Sequence, residues 1–170
     1  MNIASLDEQY AGATLPGLIQ HQIKAMSVLT TSLASIATRT TSPRAPSMFQ
    51  IALPILGVSK SAVAEAFYCG KLGFRRAYAY RPDPERSDPC WLGVVRDGAH
   101  LVLSSFGGDG PPGSRNVQIY VEDAAALRRE LREAGVEGLD DLVEQTWGNL
   151  EFHLVDPDGN RINIAQDRSG

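Results

Sequence analysis

The pattern of hydrophobic and polar residues divides the body of the chain into two similar blocks. The first block predicts one strand, one helix and three further strands. An apolar run over 53–58 precedes a stretch of helical spacing over 60–71. Three further strands are predicted over 75–80, 91–96 and 99–104. Strict alternation predicts strands, whereas apolar residues three to four positions apart predict a helix. The first block therefore predicts the order βαβββ.

A second block repeats this order. Its predicted elements are a strand over 116–121, a helix over 124–134, and strands over 141–145, 150–155 and 161–165. Equivalent features recur at nearly constant spacing, because Val58 and Val121 are 63 positions apart and the turn glycines Gly98 and Gly159 are 61 apart. Such regular self-similarity indicates a duplicated structural unit.

Both predicted helices are flanked by residues that favour helix ends. Ser59 or Ser61 is the expected N-cap of the first helix, and Asp123 that of the second. Gly73 and Gly135 are the expected C-terminal glycines. Helical spacing predicts that the buried faces are formed by Val63, Ala66 and Phe67 in the first helix and by Leu127, Leu131 and Ala134 in the second.

The chain divides near Met48 into an N-terminal extension over 1–47 and a body over 48–170. The extension ends in a linker rich in Ser, Thr and Pro over 38–47. An amphipathic helix is predicted over 15–37 from the apolar residues Leu15, Leu18, Ile19, Ile23, Met26, Leu29, Leu33 and Ile36. In one interpretation this helix packs on its own domain or on a dimer partner. In others it is an interfacial or targeting segment, or an extension upstream of an alternative start at Met48.

Composition restricts the class of protein. The formal net charge of −4 over 170 residues argues against a nucleic-acid-binding protein, which would need a basic surface. No apolar run is long enough to span a membrane, and no secretory signal is evident, so we expect a cytoplasmic protein. The two cysteines, Cys69 and Cys90, do not make a disulfide framework.

The C-terminal run carries the most specific pattern. Trp147-Gly148 leads to Glu151-Phe152 and then to the turn Asp156-Pro157-Asp158-Gly159-Asn160. Together with Leu72-Gly73-Phe74 and Tyr120-Val121-Glu122-Asp123, this pattern resembles the vicinal oxygen chelate superfamily, which includes glyoxalase I, extradiol dioxygenases and bleomycin-resistance proteins. The resemblance covers residues 49–167 and is closest to the bleomycin-resistance branch. It implies an α+β fold in which two βαβββ modules, about 49–106 and 114–167, form a cup-shaped curved sheet with the helices outside.

The repeat also identifies the positions at which related enzymes would hold a metal. The resemblance implies one ligand from the leading strand and one from the final strand of each module. Counting five residues back from Val58 and Val121, and four past Gly98 and Gly159, gives the positions Leu53, Asn116, Val102 and Asn163. Divalent metals prefer carboxylate oxygens or imidazole nitrogens. These side chains therefore predict neither a metal centre nor another cofactor.

A cup without metal would bind a small molecule through aromatic and polar side chains. The resemblance implies a homodimer whose grooves sequester an aromatic, cationic ligand, with no catalytic residues. Aromatic faces stack on flat rings and attract cations. The candidate ligand-binding residues are Trp147, His153, Asn116, Asn163, Trp91, Phe106, Val102 and Leu53. Trp147 has a second interpretation, as a core or interface residue.

Three other functions are considered. One is an enzyme of the same fold that works without metal and uses His153, Glu151 or His100 for acid–base chemistry. Another is a metal-dependent lyase, isomerase or dioxygenase, against which the four metal positions argue. The last is a ligand sensor or interaction module in which the N-terminal helix is the coupling element.

Overall fold

The computed structural model describes residues 51–168, and the helix and linker predicted upstream lie outside the described residues. The first module contains β1 (Ile55–Gly57), α1 (Ser61–Gly70), β2 (Arg75–Tyr80), β3 (Trp91–Arg96) and β4 (Ala99–Ser104). The second contains β5 (Asn116–Tyr120), α2 (Ala124–Glu133), β6 (Val143–Glu144), β7 (Asn149–Val155) and β8 (Arg161–Asp167). The predicted order βαβββ, twice, is confirmed.

Each module forms its own four-stranded sheet, and the two sheets have the same topology. The strand orders are β1-β4-β3-β2 and β5-β8-β7-β6. In each sheet the leading strand runs parallel to the last strand, and the remaining pairs are antiparallel. The α+β fold class is confirmed, with its strands divided between two sheets.

One face of each sheet packs on the helix of its own module and forms the core. In the first sheet this face contains Leu56, Leu92, Val94, Leu101 and Leu103. In the second it contains Val117, Phe152, Leu154, Ile162 and Ile164. The opposite face of each sheet, turned away from the helix, is called the cup face below.

The predicted burial of the helices is partly wrong. Helix α1 buries Ser61, Ala64 and Tyr68, whereas Val63 and Ala66 are exposed and Phe67 is only partly buried. Small or apolar residues surround most of this helix, so the spacing did not define a single stripe. In α2, Leu131 is buried and Leu127 partly buried, but Ala134 is exposed because it is already the C-cap residue.

The first helix begins in a way that the sequence did not predict. Neither Ser59 nor Ser61 is its N-cap; Lys60 takes that position without a side-chain hydrogen bond. Instead, the amide of Ser61 donates to Oδ1 of Asp88 at 3.0 Å, from a loop 27 residues later. Asp123 is confirmed as the N-cap of α2, since it accepts a hydrogen bond from the amide of Ala126 at 2.8 Å.

The Asp-Pro-Asp-Gly-Asn turn between β7 and β8 joins the two modules. The side-chain amide of Asn160 donates to the carbonyl of Gly57 at 2.9 Å. The amide of Ser59 donates to Oδ1 of Asp158 at 3.0 Å. Asn160 is buried, so its contact with Gly57 lies inside the molecule, whereas the bond between Ser59 and Asp158 is exposed. The turn therefore closes a hairpin and also holds the second module against the first strand.

Candidate functional site

Strand pairing shows which residues lie beside the predicted metal positions. Val102 lies beside Ile55, and Asn163 lies beside Gln118. Leu53 precedes β1 and lies two residues before Ile55. Asn116 begins β5, opposite Arg161, and lies two residues before Gln118. The pairing preserves the repeat, because Ile55 and Val102 correspond to Gln118 and Asn163.

These side chains do not fit a divalent metal. Ile55 and Val102 provide no donor atom, and the amides of Gln118 and Asn163 bond to each other at 3.1 Å. Within residues 51–168, no three His, Cys, Asp or Glu side chains converge as a metal site. Since imidazole and carboxylate donors are needed for such a site, the usual chemistry of the superfamily's metal enzymes has no ligand set here.

The two cup faces differ in chemistry although their backbones correspond. On the first sheet, the row through Val102 continues into Gly93 and Tyr78. On the second, the row through Asn163 continues into His153. Val102 is 1% exposed, whereas Asn163 and His153 are only partly buried. The row through Val102 is thus apolar and aromatic, whereas the row through Asn163 is polar.

Glu151 lies on the cup face of the second sheet, opposite Ala165. Its Oε1 accepts a hydrogen bond from Nδ2 of Asn149 at 2.9 Å and another from Nε1 of Trp147 at 3.1 Å. Its Oε2 accepts a longer bond from Nδ2 of Asn163 at 3.4 Å. The residue is 4% exposed. One carboxylate therefore connects two of the predicted ligand-binding residues, Trp147 and Asn163.

The environment keeps this carboxylate ionised. Burial by itself raises the pKa of Glu151, but the hydrogen bonds from Asn149, Trp147 and Asn163, helped by His153, outweigh burial and leave the pKa below its ordinary value. Donors that bond to the charged form stabilise it in this way. At neutral pH the cup face of the second module therefore contains a buried negative charge.

Trp147 is exposed beside this charge. It lies in the turn between β6 and β7, where the amide of Gly148 donates to the carbonyl of Gln145 at 3.0 Å. The side chain is 63% exposed, so Trp147 is not a core residue of the part of the chain that the structure describes. Its indole N–H is bound by Glu151 while the ring remains accessible.

His153 and Asn163 extend the cluster along the same face. They lie directly opposite each other on β7 and β8. Nδ1 of His153 is 3.4 Å from Oδ2 of Asp140, and Oδ1 of Asn163 is buried without a partner. Asn116 is exposed at the margin of the face, next to Arg161.

The other predicted site residues belong to the first module. Trp91 lies two positions along β3 from Gly93, and the ring of Tyr78 lies so close over Gly93 that a Cβ there would be 2.2 Å from it. The Trp91 indole nitrogen and the Tyr78 hydroxyl are both buried beside each other, and neither has another hydrogen-bond partner among the described residues. Phe106 is partly buried before a 3-10 turn, Gly107–Asp109. The candidates are thus split between the modules.

Sequence reasoning gave too little weight to Glu151, which it treated only as a residue for acid–base chemistry, and it missed Asn149 and Gln118. The alternation of β7 contained a signal for two of them. Asn149, Glu151 and His153 occupy every second position, and the positions between are apolar. Gln118 became identifiable only once the pairing of β5 with β8 was known.

A separate cavity of about 910 Å³ lies on the helix side of the sheets. It is bordered by α2 and by the turn between β3 and β4, and the ion pair of Arg96 with Glu130, at 2.8 Å, lies on its wall. None of the candidate residues lines it, and neither do any of the described side chains with an unpaired buried polar atom. We therefore place the candidate site on the cup faces.

Neither helix within residues 51–168 is long and apolar enough to cross a membrane.

Comparison with known proteins places the chain in a family. A family model described as glyoxalase superfamily protein matches residues 38–170. TnmS3, an antibiotic binding protein from Streptomyces sp. CB03234, is 30% identical, with 71% of this chain and 99% of that chain covered and a TM-score of 0.55. No curated protein sequence matches significantly.

Two further solved structures share the fold. The bleomycin resistance determinant encoded on the transposon Tn5 is 23% identical over 70% of this chain and 98% of that chain, with a TM-score of 0.58. A bleomycin-binding protein complexed with bleomycin is 22% identical over 70% and 99% of the two chains, with a TM-score of 0.57. The resemblance found in the sequence is confirmed: the chain belongs to the glyoxalase/bleomycin-resistance superfamily.

Proposed function

We propose that the protein is a metal-independent binding protein that sequesters an aromatic, cationic small molecule without chemically changing it. The observation that carries this proposal is the exposed ring of Trp147, fixed through its N–H by the ionised and buried Glu151. An aromatic face next to a negative charge suits a flat, positively charged ligand. The antibiotic-binding relative at 30% identity supports the same class of function.

The proposal includes a dimer whose groove holds the ligand. The cup face of the second sheet presents four large apolar side chains that are each at least half exposed, namely Tyr120, Val143, Trp147 and Val155. Exposed apolar patches of this kind are typical of interaction sites. A second copy of the chain would cover part of this face and leave a groove beside Trp147. Free Cys69 and Cys90 suit the reducing cytoplasmic setting that belongs to the proposal.

Calorimetric titration with bleomycin, together with elemental analysis of the purified protein, tests this proposal. We expect stoichiometric binding, recovery of unchanged bleomycin by mass spectrometry, and no stoichiometric metal. Replacing Trp147 by Ala should weaken binding by about 1–3 kcal/mol, the usual contribution of a stacked aromatic ring. Val63→Ala, at an exposed position on α1, is the control and should bind normally. Chemical conversion of the ligand, or an unchanged affinity of the Trp147→Ala variant, would contradict the proposal.

A second candidate is an acid–base enzyme that needs no metal. It is favoured by the proximity of His153 to Asp140, because a carboxylate that orients an imidazole is a common arrangement for a general base. His153→Gln separates the two functions. Under the binding proposal this variant changes affinity at most, whereas under the enzyme proposal it abolishes turnover of a substrate that still binds.

A further inference from the structure

We propose that Glu151 makes the site select cations: a positively charged group of the ligand lies against the face of Trp147, within the field of the Glu151 carboxylate. This inference rests on the proposed function and deepens it. It assigns the preference for a cation to one residue and names the chemical class recognised, a protonated amine or another onium group attached to an aromatic ring.

Glu151 accepts no hydrogen bond from a cationic side chain in the described residues, and His153 acts on it only electrostatically. All three of its hydrogen-bond donors, on Trp147, Asn149 and Asn163, are neutral groups. No ion pair to it is formed within the described chain. A buried carboxylate is normally paired with a cation or a metal. A positive charge brought by the ligand would complete this arrangement.

The charged residues around Glu151 do not replace that partner. Arg161 is on the same cup face, but it lies in β8 four residues from Ala165, the residue opposite Glu151. At about 3.3 Å per residue, four residues separate the two rows by roughly 13 Å. His153, two residues along β7, has Asp140 beside it at 3.4 Å. Neither of these two side chains forms an ion pair with Glu151, and neither does Arg168, directly after β8.

The indole of Trp147 contacts Glu151 only through its edge. Because Nε1–H donates to the carboxylate, Glu151 lies at the edge of the ring and both ring faces stay free of this contact. Hydrogen bonding to an anion polarises the donor and increases the negative charge of the ring system. The ring face and the carboxylate then attract the same cation, the former within about 6 Å of the ring centre.

The two modules have different residues at the position of Glu151. Glu151 lies opposite Ala165 in the second sheet, and the corresponding residue of the first sheet, opposite Ser104, is Trp91. The first cup face thus has an aromatic residue where the second has a charge. Recognition of a cation belongs to the second module alone, and the first offers flat apolar contacts.

Two small probes test the inference: 1-naphthylmethylamine, which is protonated at neutral pH, and 1-naphthalenemethanol, which has the same ring and no charge. Binding is followed through the indole N–H signal of Trp147 by NMR. The unmodified protein should bind the amine about tenfold more tightly than the alcohol, in line with a desolvated cation–π contact. Glu151→Gln should lose this preference and keep its affinity for the alcohol.

Glu144→Gln is the matched control. Glu144 is exposed in the neighbouring strand β6 and pairs with Leu150, on the helix side of the sheet. Its replacement removes one negative charge from the same hairpin without touching the cup face, so the preference for the amine should persist. Loss of the preference in Glu144→Gln would overturn the inference, because general charge would then be its source.

Other outcomes are equally decisive. Equal binding of both probes by the unmodified protein would overturn the inference while leaving the proposed function intact. If bleomycin and both probes all fail to bind, the proposed function itself is wrong. If Gln is not tolerated at the buried position, Glu151→Asp retains the charge and should retain the preference; equal affinity of that variant for both probes would overturn the inference.

Discussion

The hydroxyl of Tyr68, in the helix of the first module, donates a 3.0 Å hydrogen bond to Oδ2 of Asp156 in the second module. Tyr68 is fully buried, and burial together with the neighbouring carboxylate raises the pKa of its hydroxyl far above the ordinary value. The phenol therefore remains protonated and continues to donate. Asp156 also accepts hydrogen bonds from the amides of Asp158 and Asn160, which fix the turn that joins the modules.

Replacing Tyr68 by Phe should lower the free energy of unfolding by about 1–3 kcal/mol. The change removes the hydrogen bond to Asp156 and leaves this buried carboxylate with one donor fewer. Urea denaturation followed by circular dichroism measures the effect. Tyr120→Phe, at an exposed position, should change stability by less than about 0.5 kcal/mol. Equal stability of the Tyr68→Phe variant and the unmodified protein would show that this contact does not hold the modules together.

Gly113, in the loop that connects the modules, approaches the Asp156–Asn160 turn closely and should not tolerate a side chain. A Cβ there would be 2.1 Å from the carbonyl oxygen of Asp158, and its φ of 71° is unfavourable for other residues. We expect Gly113→Ala to destabilise the protein by about 2 kcal/mol or more. Gly108→Ala meets nothing within 4 Å and serves as the control. Thermal unfolding of the two variants should differ clearly; similar melting temperatures would refute the close approach.

Asp88 should contribute to stability as the distant cap of α1. Its Oδ1 accepts from the amide of Ser61 at 3.0 Å and from the hydroxyl of Ser105 at 2.6 Å. Burial opposes ionisation, yet these bonds leave the pKa of Asp88 below its ordinary value. Asp88→Ala should cost about 1 kcal/mol, the typical effect of losing an N-cap. Asp83→Ala, in the same loop, removes a side chain that accepts from the nearby amide of Glu85, and it should have a smaller effect in the same denaturation assay.

Stability should depend on pH through Glu151. Because its pKa in the folded protein is below the ordinary 4.5, the folded state binds this proton less readily than the unfolded state does. The stabilisation is therefore complete above pH 4.5 and is lost as the pH falls through the folded-state pKa. The difference in melting temperature between the unmodified protein and Glu151→Gln should shrink between pH 7 and pH 3. A constant difference would mean that packing, and not charge, accounts for the contribution.

The strands could be predicted well because short apolar runs bounded by turn residues are a local property of the chain. Three strands of the first module, Arg75–Tyr80, Trp91–Arg96 and Ala99–Ser104, have the predicted bounds. The buried face of α1 was not predictable in this way, since apolar residues occur around most of the helix. Its cap was not predictable either, because Asp88 is 27 residues away in the chain.

Individual residues of the candidate site could be predicted from the sequence, but their contacts with one another could not. Trp147 and Asn163 could be named from the resemblance, whereas their connection through Glu151 depends on the pairing of β7 with β8. The metal positions show the same limit. Strand pairing places Ile55 beside Val102 and Gln118 beside Asn163, and counting along the chain did not name these neighbours. Distances along a chain do not determine the register of a parallel pair.

After a duplication, the two copies of a module are free to accumulate different kinds of mutation. Val102 is 1% exposed, so most replacements there would disrupt packing, whereas the corresponding Asn163 is only partly buried. Replacements in the row of Asn163 would alter the chemistry of a surface at small cost to folding. Substitutions in the row of Asn163 can therefore change this surface while the packing around Val102 is kept.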